Sequence, residues 1–283
     1  MPRRVVSCQL PPIKTCKNPN CASVAISYDG FCKSHAPSRR IKSYNSRPRC
    51  SSRWPNPIGI ELEMIHPESS SRLAQVARFA CTDASLPYGG AEIKLVQDAS
   101  KITNIAADTA QRAGLAGAKV NRSCGFHVHM GLPNGIMGGL DRRNDANWST
   151  FNARCRLLGL AMHFQEYFFD IVPKTRRTNN YCSRLTSSTN SLCCHYSWLS
   201  VSSRVPTVEL RIHSGTVNPW KVKGWVEVAV RLREMVNAAI LGTEGWDNLP
   251  SKKFVDYMEP GTLGSKYLLA RECAGGKLVN FGF

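Results

Sequence analysis

The sequence contains neither a GxxxxGK[ST] loop nor a GxGxxG turn, which argues against a P-loop enzyme and a dinucleotide-binding crossover. A GxSxG elbow is absent as well, and with it the hydrolases built on that turn. No apolar run approaches the roughly 20 residues that a helix needs to span a bilayer, so no membrane partner is expected. The opening MPRRVVSCQLPPIKTC is basic, but Ser7, Gln9 and two prolines break its apolar run. That run is too short for the core of a signal peptide. Of the twelve cysteines, the seven beyond residue 50 show no regular disulfide framework; reduced thiols in a cytoplasmic protein are the simpler expectation. Internal repeats and long low-complexity tracts are also missing.

Acidic residues are scarce: 20 against 37 Lys and Arg, a net charge of +17. The imbalance is concentrated in residues 1–53, with eleven cations and one acid, Asp29, for +10. Within that segment Cys16, Cys21, Cys32 and His35 are spaced C-x4-C-x10-C-x2-H, and Gly30 suits a tight turn before the second pair. Two such pairs can close a tetrahedron around a structural Zn²⁺ ion; free cysteines, or a disulfide in a secreted protein, are the alternatives. A basic module with few apolar residues suits an anionic partner, nucleic acid first, or else serves as a solvated arm. Aromatics are thin there (Tyr28, Phe31, Tyr44, Trp54), so base stacking on single strands is not specially indicated. The stretch RRIKSYNSRPRCSSRWPNP reads as a linker. The expected division is a basic zinc-binding module with its linker over 1–50 and a catalytic domain over 51–283.

Four short apolar segments each carry two polar groups at i and i+2. They are IGIELEM with Glu61 and Glu63, AEIKLV with Glu92 and Lys94, CGFHVHM with His127 and His129, and TVELRI with Glu209 and Arg211. Residues two apart in a strand project to one side. Four strands set side by side would give a sheet with one apolar face and one face of carboxylates, imidazoles and cations. The alternative is four unrelated half-exposed strands.

Crowded carboxylates repel unless a cation sits between them. Glutamate oxygens are hard ligands suited to Mg²⁺ or Mn²⁺, and one imidazole among them is compatible with either ion. Arg211 is a better phosphate or carboxylate clamp than Lys94, because a guanidinium fork binds in two places. Lys94 can equally pair with Glu92 or a neighbour. The HxH pair also occurs in zinc hydrolases and in cupins, but a cupin would place a glutamate shortly after it, and residues 131–135 hold none.

In order, GIELEM, DASLPYGGAEIKL, NRSCGFHVHMG, YSWLSV and TVELRIHSGTVNPWKVKGWVEV resemble the amidoligase family. That family belongs to the carboxylate-amine ligases of the glutamine synthetase and glutamate-cysteine ligase group. The resemblance runs from about Ile58 to about Leu241. It implies an α+β fold, with an antiparallel sheet whose concave polar face holds metal ions and nucleotide phosphates, and helices on the other face. It implies ATP-dependent amide formation through an acyl phosphate, with a small-molecule or peptide acid and an amine as substrates. By the same resemblance Glu61, Glu63, Glu92, His127 and Glu209 match metal ligands. His129 would lie beside the nucleotide, and Arg211 would meet phosphate or substrate carboxylate, with Lys94 a further cofactor contact.

Asn121 and Arg122, before the HVH strand, are expected near substrate, and RRTNNYCSRL, with Tyr181 and Arg184, resembles a polar segment that the amidoligases use near their substrate, a solvated basic loop being the alternative. His213 shares the parity of Arg211 and is expected in the same cleft. Asp83, ahead of the strand that carries Glu92, is explained by an Asx turn as well as by a catalytic role. Helices are expected over 71–81, 100–114, 150–171 and 219–241. Two other functions remain open: a zinc-dependent hydrolase built on the HVH pair, and a nucleic-acid-binding protein with an inactive ligase-like domain.

Overall fold

Ile58, Ile60, Leu62 and Met64 alternate along β1 (Pro57–Ile65), and all four are buried. That alternation fixes which face of the sheet meets the helices, because a slip of one residue would expose every one of them. The structure is a computed structural model describing residues 57–65, 80–83, 85–86, 90–132, 148–201, 207–243 and 248–275. The expected zinc ligands Cys16, Cys21, Cys32 and His35, the basic module and its linker lie outside the described residues.

The other strands are β2 (Ala80–Thr82), β3 (Gly90–Asp98), β4 (Gly125–Gly131), β5 (Leu199–Val201) and β6 (Thr207–Ser214). They form one six-stranded sheet in the order β2-β3-β1-β4-β6-β5, every pairing antiparallel. The four segments with paired polar groups thus become the four central strands. Ala80 and Cys81, at the end of the helix expected over 71–81, instead pair with Ile93 and Glu92. Here pairing with β3 outweighs local apolar spacing; the rest of that segment lies outside the described residues.

Among the described residues the α-helices are α1 (Ala99–Leu115), α2 (Trp148–Ile171), the single turn α3 (Lys174–Arg177), α4 (Pro219–Leu241) and α5 (Leu263–Cys273). Asp98 starts α1 by accepting from the Ser100 amide at 3.0 Å, and Ile102, Ala106, Ala110 and Ala113 give it one buried face. Asn218 caps α4 through the amides of Trp220 and Lys221, Pro219 occupies the first turn, and Gly242 ends the helix at φ 68°. A left-handed residue there suits glycine. Trp225, Val228, Leu232 and Val236 of α4, with Phe164 and Phe168 of α2, are buried in the same core as Phe126, Val128, Leu210 and Ile212 of the sheet. Among the described residues no helix is long and apolar enough to cross a membrane.

One irregularity interrupts the β4–β6 ladder. Val128 pairs with Leu210 but Phe126 pairs with His213, so two steps along β4 answer three along β6. Such a bulge reverses the facing of the residues beyond it.

Candidate active site

Glu61 sits at the centre of the sheet's polar face, paired in register with Lys94 on β3 and His127 on β4. Its Oε1 lies 3.1 Å from Lys94 Nζ and its Oε2 3.5 Å from His127 Nδ1. Glu209 of β6 pairs with His129, and its Oε1 stands 3.5 Å from His127 Nδ1 and 3.7 Å from His129 Nε2. His129 Nε2 in turn is 3.5 Å from Glu61 Oε2. Two nitrogens and two oxygens thus alternate around a ring with edges of 3.5 to 3.7 Å.

Both of those nitrogens are buried and without a hydrogen bond. The other nitrogen of each ring faces oxygen: His127 Nε2 lies 3.6 Å from Glu63 Oε1, and His129 Nδ1 lies 3.2 Å from Thr207 Oγ1. Protons on those outer atoms leave the inner lone pairs directed at the ring's centre, the usual way ligating imidazoles are oriented. Atoms that share one divalent ion at about 2.1 Å stand roughly 3 to 4 Å apart, and Glu61, His129 and Glu209 each offer an atom within 4.8 Å of the other two, with His127 Nδ1 beside both carboxylates. The chain's own atoms therefore fit a divalent cation.

The carboxylates make the same point a place where positive charge, a proton or a metal ion, is favoured. Burial pushes the Glu61 carboxyl up, but the His127 and His129 imidazoles facing it pull it far below the ordinary carboxylate range. Burial disfavours charge on His129, yet Glu61 and Glu209 raise it above the ordinary imidazole value. Glu92 is pushed up to about 8 by burial and the charge of Glu61, against the pull of Lys94. Lys94 lies 2.6 Å from Glu92 Oε2, and despite burial both glutamates hold it protonated. Sequence reasoning left Lys94 between a cofactor contact and a partner of Glu92; the structure pairs it with Glu92 and Glu61.

Glu63, Asp83 and Glu92 form a second group whose oxygens lie within 4.8 Å of one another. Glu63 Oε2 accepts from the Gly125 amide at 2.5 Å, and a Cβ at Gly125 would stand 2.4 Å from His127 Nε2. Glycine is required there so that backbone can approach both side chains. Asp83 makes the Asx turn, accepting from Ser85 N at 2.8 Å, while still belonging to this group.

Arg211 is 5% exposed and pairs with Glu209, and its Nε donates to the Tyr181 carbonyl at 3.4 Å. His213 does not share the cleft. The bulge turns it to the helical face, where it packs 5.3 Å from Phe126 and 4.8 Å from Trp225, with Nε2 2.7 Å from Tyr267 Oη. Arg184 pairs with Glu166 and stacks 4.2 Å over Phe169, so α2 holds its guanidinium. Asn121 Oδ1 accepts from Ser123 N at 2.8 Å and shapes the turn into β4. Tyr181 is half exposed against Tyr196. Thr207 was missed by sequence reasoning, although its parity with Glu209 and Arg211 was a usable signal.

No protein-family model matches the sequence, and no curated protein matches it. Among solved structures the chain is similar to a bifunctional glutathione synthetase from Pasteurella multocida at 11% identity and a TM-score of 0.36. That overlap covers 77% of this chain and 46% of the other. A structure of GmaS without ligand gives 13% identity and a TM-score of 0.33, covering 78% of this chain and 66% of that one. The chain thus spans about half of the first and just under two thirds of the second.

Proposed function

We propose that this chain is an ATP-dependent carboxylate-amine ligase that forms an amide through an acyl phosphate, with divalent cations on the polar face. The observation that carries the reading is the convergence of Glu61, Glu209, His127 and His129 on one point, with Arg211 beside it. Glu61, His127, His129 and Glu209 would hold one ion. Glu63 and Glu92, with Asp83, would approach a second. Ions held there would supply charge neutralisation for phosphate oxygens. Two imidazoles among carboxylates suit Mn²⁺ better than Mg²⁺, which prefers oxygen.

A carboxylate is a poor acyl donor, and phosphorylation makes it a good one. Phosphoryl transfer asks the protein mainly for alignment and charge neutralisation. Arg211, paired with Glu209 at the edge of this group, would present a planar fork able to hold a phosphate or the substrate carboxylate in two places. Lys94, clamped between Glu61 and Glu92, keeps those carboxylates from separating when the cleft is empty. Burial of Arg211, His127 and Glu209 keeps competing water from the reacting groups. Tyr181, Asn121 and Arg184 remain proposed substrate contacts, and the acid and amine they would select are a small molecule or a peptide.

The test is ADP formation with Mn²⁺ or Mg²⁺ across a panel of acids and amines. Glu63→Gln and Arg211→Ala should each abolish it in folded protein, and amine-independent turnover would argue against ligation. The ring of two nitrogens and two oxygens also favours a second reading, a zinc-dependent hydrolase. It predicts tightly held zinc in residues 51–283 and hydrolysis without ATP. Residues 1–50 are proposed as a zinc-binding, nucleic-acid-contacting module. Removing them should abolish salt-sensitive nucleic-acid binding and spare ligation of small substrates.

A further inference from the structure

Arg211 shares the parity of Glu209, but its carbonyl has no strand donor: its amide donates to the Trp198 carbonyl at 2.8 Å while the Trp198 amide donates to that of Ser183, and the neighbouring Ile212 falls in the β4–β6 bulge. Buried carbonyls need donors. Arg176 on α3 supplies them: it is 1% exposed, its Nη2 donates to the Arg211 carbonyl at 2.7 Å, and its Nε donates to that of Ile212 at 3.4 Å. Five residues on, the Tyr181 carbonyl accepts from Arg211 Nε at 3.4 Å. One short segment therefore grips Arg211 twice, by its main chain and by its side chain.

That segment is itself anchored. The Arg176 amide donates to the Pro173 carbonyl at 2.8 Å, and the Arg176 carbonyl accepts from Cys182 Sγ at 3.0 Å. Three other buried or partly buried arginines meet carbonyls at the ends of elements: Arg156 at Ala239 and Ile240 near the end of α4, Arg271 at Ile171 at the end of α2, and Arg233 at Gly131 at the end of β4. Arg176 alone of these four acts within a strand, at the residue whose side chain enters the site.

From this geometry we infer that Arg176 is a positioning residue, which holds the β6 bulge and thereby sets the direction in which Arg211 presents its guanidinium. A lysine in its place carries one charged nitrogen instead of a planar fork and cannot meet both carbonyls with the same geometry. The role rests on the proposed function only in naming the Arg211 ligand as a phosphate.

The test is a double-mutant cycle on the full chain, with Mn²⁺-ATP affinity read by titration calorimetry for wild type, Arg176→Lys, Arg211→Ala and the pair. Arg176→Lys and Arg211→Ala should each weaken binding about tenfold. The double variant should bind no more weakly than Arg211→Ala, because nothing remains to be aimed. Independent, multiplying losses, or full affinity in Arg176→Lys, would overturn the inference. If Arg211→Ala leaves ATP affinity unchanged, the nucleotide reading of the site fails on its own account. Amide hydrogen exchange then decides the role of Arg176. Faster exchange confined to residues 210–214 in Arg176→Lys supports it, and exchange unchanged there, or raised throughout the chain, overturns it.

Discussion

His127 and Glu61 face each other across the β1–β4 ladder, with the imidazole Nδ1 3.5 Å from the carboxylate Oε2 and that nitrogen making no hydrogen bond. In the middle of a sheet such an arrangement is costly unless a third party accepts the lone pair. The first prediction follows from that gap. Mn²⁺ should raise the melting temperature, by an amount worth about 2.7 kcal/mol at a hundredfold excess over its dissociation constant. Glu61→Gln and His127→Asn should each remove most of the shift in scanning calorimetry. A metal-induced shift that survives both variants would place the ion elsewhere.

Gly125 is the second point of leverage. A methyl group there would stand 2.4 Å from His127 Nε2 and 3.2 Å from Glu63 Oε2, so the imidazole or the strand must move. Gly125→Ala should destabilise the fold by about 1–3 kcal/mol, the usual penalty of overpacking. It should also weaken Mn²⁺ binding. Denaturant unfolding beside metal titration checks both, and wild-type metal affinity in the variant would show that His127 is not held by this contact.

His213 provides a pH prediction separate from the site. Burial, with Arg271, Lys221 and Arg176 nearby, depresses its imidazole to about 3, against the Ser214 carbonyl's opposing pull. The unfolded chain takes up this proton near the ordinary value of about 6.5. Between those limits the unfolded state binds more protons, so stability falls as pH drops from about 6.5 toward 3. The loss attributable to His213 is on the order of a few kcal/mol. His213→Phe should flatten that part of the stability profile, measured by urea unfolding at several pH values. An unchanged slope would show that other groups set it.

Arg211 tests the fork against the charge. Arg211→Lys keeps the cation and loses two-point binding, so ADP formation should fall at least about tenfold. Stability should change little, because the Arg211 carbonyl still receives Arg176 Nη2. Wild-type turnover in the lysine variant would reduce the role of Arg211 to that of a point charge.

The central strands and the cluster were legible because a period of two sorts side chains by face. Glu61, Glu63, Glu92, Lys94, His127, His129, Glu209 and Arg211 needed only that rule and one apolar face to come together. His213 defeated it, since nothing in the residue types of TVELRIHS marks an added residue in the ladder. Arg176 was invisible for another reason: its partners are carbonyls, which every residue carries. Ala80 and Cys81 were misread because a three-residue edge strand is too short to show alternation. The role of Arg184 was drawn from resemblance and that of Asn121 from its place before β4, while the structure engages them with Glu166 and with Ser123.

The offset within β6 gives the two ends of one strand different obligations. Before it, a replacement is judged by charge and by reach into the polar cleft. After it, at His213, the same kind of replacement is judged by fit against Trp225 and Tyr267. An engineer altering ligand preference here can therefore work on Thr207, Glu209 and Arg211 without repacking the aromatic layer, provided the chain length between Leu210 and His213 is left untouched.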